Sequence, residues 1–207
     1  MFLSSCLNQY KHYPKRVIMN SNSRDPSEIA KKLEQEKMTG NIREPIDCGH
    51  FNIRIGRSGK WYYLDSEIRR LEIVKLFASV LKRDEEGDYW LETPVQKGRI
   101  DVEDAPFVAI GLDISGDGKN QKLKFETNIG ESVTASCENK IWIETEQISG
   151  KISPYIHIRN RLCALISRPV YYQLANLAVY SGRANFLGVW SSGEFFKLAE
   201  AEEEVNS

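Results

Sequence analysis

The sequence predicts an α+β protein made of two related units, each an antiparallel sheet with a helix over one face. Three observations carry that prediction: a phrase of two strands followed by a helix occurs twice, each copy ends in an amphipathic helical period, and short alternating segments separated by turn residues run between the copies. The first copy reads Ile53-Arg54-Ile55, a turn from Gly56 to Gly59, Trp61-Tyr62-Tyr63-Leu64, and a helix opening Asp65-Ser66-Glu67-Ile68-Arg69-Arg70. The second reads Tyr155-Ile156-His157-Ile158, Leu162 to Ile166, and a helix opening Ser167-Arg168-Pro169-Val170-Tyr171-Tyr172. A duplication of this kind leaves a seam between its copies, and seams between domains are where small ligands usually bind.

Taken in order, residues 1–24 are a disordered lead, rich in Asn and Ser and without any period. Asp25-Pro26-Ser27-Glu28 then supplies an N-cap, a proline at the first helical position and a capping-box glutamate, so a helix is expected over 25–38. Its apolar stripe, Ile29 and Leu33, is thin enough that it must lie on a surface. It opens an N-terminal α+β domain over 25–105. There Ile68, Leu71, Val74, Phe77, Ala78 and Leu81 recur at helical spacing, which predicts a helix over 66–82 with Lys82 and Arg83 at its C-terminal end. Tyr89-Trp90-Leu91 and the alternating run from Arg99 to Glu103 follow as strands.

A C-terminal α+β domain is expected over 106–198. It begins as an antiparallel meander through 107–112, 122–127, 132–137 and 140–144, divided by turns at Ser115 to Gly118, Asn128 to Gly130 and Glu138-Asn139. The second copy of the phrase comes next, with a helix over 169–181 that turns Val170, Leu174, Leu177 and Ala178 inward and stops at Gly182. Strands at 186–190 and 194–198 close a hairpin around Ser191-Ser192-Gly193, and 199–207 is an acidic tail.

Composition excludes several function classes. The 207 residues are 41% hydrophobic, enough for a substantial core, and 28 basic against 29 acidic residues leave a net charge of -1. That balance disfavours bulk nucleic-acid binding, which needs a basic excess. Cys6, Cys48, Cys137 and Cys163 are scattered without a CxxC pair, which suits reduced thiols and predicts a cytoplasmic location. No apolar run reaches a membrane span, and Met19 is as good a start as Met1 because the segment before it is patternless.

Candidate chemistry centres on cations near helix starts. A cation in the first turn opposes the helix dipole by about 0.3–1 kcal/mol, so Arg69, Arg70 and Arg168 need either solvent or an anion beside them. The free N–H groups of a helix start together with an arginine fork suit a phosphate. Surface exposure, or pairing of Arg69 and Arg70 with Asp65, Glu72 or Asp104, is the competing reading. Trp61, Tyr62, Tyr171, Tyr172 and Trp190 adjoin these arginines in sequence, where they would either stack on a base or fill the core. Lys97, at the end of Thr93-Pro94-Val95-Gln96-Lys97, could reach a phosphate as a mobile charge or simply line a strand edge.

Other patterns fail. Asp113 to Gly118 begins like a calcium loop, but the bidentate glutamate position falls on Lys124. Asp47-Cys48-Gly49-His50 lacks a second ligand pair for zinc, and His157 is a lone strand histidine. No catalytic triad order, phosphate-binding glycine loop or dinucleotide fingerprint is present, so neither a catalytic residue, a metal nor a cofactor is assigned and enzymatic activity is not favoured.

Spaced blocks of the chain resemble a bacterial domain-of-unknown-function family. They are Gly59-Lys60-Trp61-Tyr62, Ile68 to Leu81, Thr93 to Lys97, Ile100 to Phe107, Pro154-Tyr155 through Arg159, Ala164, Arg168 to Leu174, Gly188-Val189-Trp190-Ser191 and Gly193, which together cover about residues 49–198. The resemblance implies two duplicated α+β domains, the C-terminal one superficially pleckstrin-homology-like. It also implies a nucleotide-like ligand at the domain interface and a role in signal transduction or the response to oxidative stress. Gln96 stands where relatives often carry Glu, which would remove any acid–base role there.

The expected activity is thus binding of a phosphate-bearing, nucleotide-like ligand, with Arg69, Arg70, Trp61, Tyr62, Lys97, Arg159, Arg168, Tyr172 and Trp190 as the candidate contacts. A signalling protein or a second copy of the chain is the expected macromolecular partner. The alternatives are a non-enzymatic protein–protein interaction module and an enzyme acting on a phosphorylated small molecule.

Overall fold

The computed structural model describes residues 27, 45–148, 150–181 and 186–200, and everything structural below refers to these. The lead at 1–24, the surface helix expected over 25–38 (Ser27 apart) and the tail beyond 200 lie outside the described residues. The chain is α+β, mostly sheet with two described helices, and its two halves follow one another in sequence.

The first half runs β1 (Ile46–Ile55), β2 (Trp61–Tyr63), β3 (Ser66–Glu67), α1 (Leu71–Ser79), β4 (Leu81–Arg83), β5 (Tyr89–Glu92) and β6 (Gln96–Val102). Its six strands form one sheet in the order β3-β2-β1-β6-β5-β4. Helix α1 buries Ile73, Val74, Phe77 and Ala78, the i, i+1, i+4, i+5 pattern of a single face. Complete burial of Phe77 alone is worth about 2–3 kcal/mol.

The helix is shorter at both ends than its periodicity predicts. Leu64 and Asp65 have φ of 46° and 66°, and Arg70 is an extended N-cap with ψ of 108°, so helical geometry begins only at Leu71. At the other end Leu81, Lys82 and Arg83 pair with Leu91, Trp90 and Tyr89 as a strand. Leu81 is inward under either geometry, which is why the apolar spacing did not reveal the change. Arg69 therefore precedes the helix and Arg70 caps it, so neither lies in a first turn. Strand β1 also starts at Ile46, seven residues before the Ile53 with which the first copy of the phrase opens, in an exposed, polar stretch.

The second half runs β7 (Phe107–Ser115), a short 3-10 turn (Gly118–Asn120), β8 (Lys122–Thr127), β9 (Ser132–Thr134), β10 (Ile141–Thr145), β11 (Ile152–Arg159), β12 (Leu162–Ile166), α2 (Arg168–Asn176), β13 (Val179–Ser181), β14 (Phe186–Ser191) and β15 (Glu194–Glu200). A six-stranded sheet has the order β10-β11-β12-β7-β8-β9, and a three-stranded sheet the order β13-β14-β15. The expected meander holds for β7, β8 and β9. Strand β10 instead joins the opposite edge, pairing with β11, and β12 lies parallel to β7 with Ala164, Leu165 and Ile166 opposite Phe107, Val108 and Ala109. Burial of all three of those β7 residues explains the central position, since a strand covered on both faces reads as a continuous apolar run.

Helix α2 ends at Asn176 rather than near Ser181, because Val179, Tyr180 and Ser181 pair with Gly188, Leu187 and Phe186. Two compact units result, one of the described residues up to Ile53 with Tyr63–Asp101, the other of Arg54–Tyr62 with the chain from Val102 on. The tip of the first hairpin thus groups with the second unit. Among the described residues no helix is long and apolar enough to cross a membrane, and Cys48, Cys137 and Cys163 are in no disulfide.

Candidate ligand-binding site

One end of the six-stranded sheet of the second unit gathers the most polar chemistry. Strand β12 ends there and passes straight into α2 through Ser167, whose N–H donates to the Ala109 carbonyl. Ser167 is the N-cap, with extended φ and ψ of -62° and 152°, but its side chain makes no capping bond. Pro169 lacks an N–H, and no acidic residue stands in the first turn. The helix therefore begins as an uncompensated positive end. Arg168, its first residue, is exposed and has no ion-pair partner among the described residues. Tyr172 is one turn later on the same face and 59% exposed.

The same end of the sheet holds a polar network that begins on the hairpin tip. Gly56 and Gly59 close that turn, with the Gly59 N–H donating to the Gly56 carbonyl at 2.8 Å. Arg57 sits on the turn and sends Nη2 to Ser153 Oγ at 3.0 Å and to within 3.2 Å of Asp104 Oδ2. The Asp104 side chain is only 8% exposed, and its Oδ1 accepts the Tyr155 hydroxyl at 2.7 Å. Burial, then the carboxylates of Asp104 and Glu144, pushes the Tyr155 phenol well above its ordinary range, so it remains a hydrogen-bond donor. Trp142 stacks on Tyr155 at 5.5 Å and donates Nε1 to Glu144 at 3.0 Å.

Beside this network the Arg57 N–H donates to Glu103 Oε2 at 3.0 Å, and Arg54 pairs with the other carboxylate oxygen while lying 4.4 Å over the Tyr62 ring. The Glu103 carboxyl is held below its usual range, first by the Arg57 N–H, against desolvation, and further by Arg54.

The residues expected from sequence divide between the units. Arg69, Arg70 and Lys97 belong to the first, where both arginines are exposed and Lys97 lies 5.1 Å over Trp90. Trp61, Tyr62, Arg159, Arg168, Tyr172 and Trp190 belong to the second. Trp61 is a core residue, 1% exposed. Arg159 forks onto Glu131, with Nη2 at 3.1 Å and Nε at 3.3 Å from its carboxylate, and lies over Phe107. Trp190 is flanked by Lys119 at 5.1 Å and Phe195 at 5.2 Å. Arg168 and Tyr172 alone of this set share an exposed helix face.

Sequence reasoning missed Arg57, Ser153 and Tyr155 as a group. The signal was thin: an arginine in a Gly-flanked turn and a tyrosine on a strand become neighbours only through pairing over long separations. Asp104, weighed as a partner of Arg69 or Arg70, is the partner of Arg57 instead.

His50 Nδ1 accepts the Asn52 N–H at 2.9 Å and Nε2 lies 3.3 Å from Asp101, so both ring nitrogens are engaged and neither is free to activate Cys48. Among the described residues no cluster of three or more His, Cys, Asp or Glu could hold a metal ion. A groove of about 610 Å³ runs between β10 and β15, with Trp142, Lys140, Cys137, Phe195 and Lys197 on its walls.

Comparison with known proteins gives a family of unknown function. The model of the DUF1285 N-terminal domain, a domain of unknown function, matches residues 42–105, and that of the DUF1285 C-terminal domain matches residues 106–198. The crystal structure of a DUF1285 family protein from Silicibacter pomeroyi DSS-3 is similar at 35% identity and a TM-score of 0.77, covering 88% of this chain and 98% of that one. A DUF1285 family protein from Shewanella baltica OS155 is similar at 26% identity and a TM-score of 0.47, over 60% of this chain and 91% of its own. Among curated proteins nothing matches.

Proposed function

Since the chain belongs to the DUF1285 family, for which no activity is known, we propose from its own geometry that it binds a phosphate-bearing, nucleotide-like small ligand at the N-terminus of α2 and acts in signalling. One observation carries the reading: Arg168 opens a nine-residue helix, is exposed, and has no carboxylate to neutralise it among the described residues. A cation so placed is unfavourable beside the helix dipole, by about 0.3–1 kcal/mol, unless an anion binds to both. Tyr172 on the same face supplies a ring against which a base can stack.

The test is a thermal-shift series with nucleotides and phosphorylated metabolites. A ligand at about 100 times its dissociation constant adds about 2.7 kcal/mol of stability, a rise of several degrees in Tm for a chain of this size. Arg168→Ala should erase that rise and leave the unliganded Tm nearly unchanged, because an exposed arginine contributes about 0–1 kcal/mol. A variant already unstable without ligand would make Arg168 structural instead.

If no phosphate compound shifts the wild type at millimolar concentration, a protein-interaction module becomes the better reading. The observation favouring it is the groove between β10 and β15, which are end strands of their respective sheets among the described residues. Such edges accept an extended peptide by strand addition, and amide exchange along both strands would then slow on adding the partner.

A further inference from the structure

Resting on the protein-interaction reading above and independent of any phosphate at α2, we propose that β10 takes up an extended segment of another protein as an added strand, held by the backbone of Ile141, Ile143 and Thr145. The hydrogen-bond parity of β10 and β11 shows which groups are free for this. The His157 N–H donates to the Lys140 carbonyl at 2.9 Å and the Glu146 N–H to the Lys151 carbonyl at 3.0 Å. These bonds flank the ladder that pairs Ile141 with Ile156 and Thr145 with Ile152. Bonded and non-bonded pairs alternate in an antiparallel ladder, so Trp142 and Glu144 share the parity of Lys140 and Glu146 and bond to β11. Ile141, Ile143 and Thr145 therefore turn N–H and C=O the other way. All three line the groove facing β15, and no strand among the described residues pairs with β10 on that side.

Edge strands invite pairing with other chains, and shortness is one of the usual protections. The other edges conform: β3 has two residues, and β4, β9 and β13 have three each. Strands β10 and β15, five and seven residues long, do not, and these two long edges line the same groove. Strand β10 carries no proline, and its register with β11 is unbroken over five pairs. Ile141 is only 6% exposed, so its unpaired backbone groups have little access to water and gain from a partner strand.

The groove selects what can lie in it. Free N–H and C=O groups recur at every second residue, about 6.6–6.8 Å apart, a repeat that an extended backbone matches. Phe195, Phe196 and Leu198 form the opposite wall, the last two each 6% exposed, so the added strand presents apolar side chains at alternate positions. The charged groups on the walls are Lys140, Lys197, Glu194 and Glu200, which cancel, and this balance argues against a phosphopeptide or a nucleic acid. A space of about 610 Å³ walled by β15 admits a single chain and not the six-stranded sheet of a second copy.

Residue-resolved amide exchange of the full chain tests this, alone and with a set of blocked peptides of about six residues that alternate valine, isoleucine or phenylalanine with threonine. In the free protein the Trp142 and Glu144 N–H groups should exchange slowly and those of Ile143 and Thr145 fast. A bound peptide should slow Ile143 and Thr145 by about tenfold or more, with an affinity that salt does not change. Ile143→Pro removes a groove-facing N–H and none of the bonds to β11, so it should abolish binding, whereas Ile143→Val should retain it. If the proline variant does not fold, peptides N-methylated at alternate residues decide instead, since they keep the side chains and lose the donors. Binding that survives N-methylation in both alternations overturns strand addition and leaves the protein-interaction reading standing. Failure of every peptide to bind overturns both. Slow exchange of Ile143 and Thr145 in the free monomer means that the chain covers its own edge, and a dimer in sedimentation means that a second copy does; either overturns the inference.

Discussion

Gly59→Ala puts the hairpin tip to a quantitative test. Gly59 has φ of +76°, and a Cβ there would lie 2.6 Å from Asn128 Nδ2 and 2.9 Å from Val108 Cγ2. Asn128 cannot move freely, because Nδ2 donates to the Gly59 carbonyl at 2.9 Å while Oδ1 accepts the Val108 N–H at 3.0 Å. Holding alanine at positive φ costs about 1–2 kcal/mol, and displacing Asn128 forfeits two hydrogen bonds of about 1 kcal/mol each. The sum is about 3–4 kcal/mol, or a Tm lower by roughly 6–16 °C for a chain of this length. Gly193→Ala is the control, with φ of +81° and nothing within 4 Å of the added carbon, so it reports the backbone cost alone. Thermal unfolding followed by circular dichroism gives both values. If Gly59→Ala is no less stable than Gly193→Ala, the Asn128 clamp does not hold the turn.

Two more outcomes follow from buried and charged groups of the second unit. Ser191 is fully buried, accepts the Leu123 N–H at 3.0 Å and donates to the Ala135 carbonyl at 2.7 Å, so Ser191→Ala should cost about 2–4 kcal/mol in chemical denaturation by stranding both backbone groups. Glu103 has a lowered folded-state pKa, so its contribution to stability is fully present above the ordinary carboxylate value of about 4.5 and is lost as the pH falls through the lower folded value. Glu103→Gln should therefore show a shallower loss of stability below about pH 4.5 than the wild type, and identical acid limbs would place the acid-sensitive carboxylates elsewhere.

How far the sequence was legible depended on the range of the physics involved. Local chemistry was readable: the Ser191-Ser192-Gly193 turn, the alternation of Lys122 to Thr127 and the apolar face of α1 all follow from spacing within a few residues. Helix ends were not, because Leu81 and Tyr180 fit a helical period equally well and only cross-strand pairing turned both into strand residues. The site was legible in part. Arg168 announced itself by standing at a helix start, whereas Arg57 gained its meaning from Ser153, which lies 96 residues away in sequence. No local pattern encodes that meeting; it arises because β11 and β12 share a sheet with β7, and the parallel pairing of β12 with β7 has no short-range signature.

The two halves share an order of strand pair, helix and three strands, and their difference is instructive. In the first sheet the last strand of that set, β6, pairs directly with the first, β1, so the order runs unbroken from β3 to β4. In the second half the corresponding strands are β15 and β11, yet β11 is paired with β10 on that side and β15 ends a separate three-stranded sheet. Strand β10, which belongs to the run between the two copies, thus occupies the position that closes the first sheet. The groove of the second unit is lined by this strand and by β15. The same strand brings Trp142 onto Tyr155 and Glu144 beside it, completing the surroundings that keep the phenol protonated and Asp104 oriented toward Arg57. A single interposed strand therefore separates the second half from its sibling twice over, once by taking the place beside β11 and once by surrounding Tyr155 with Trp142 and Glu144.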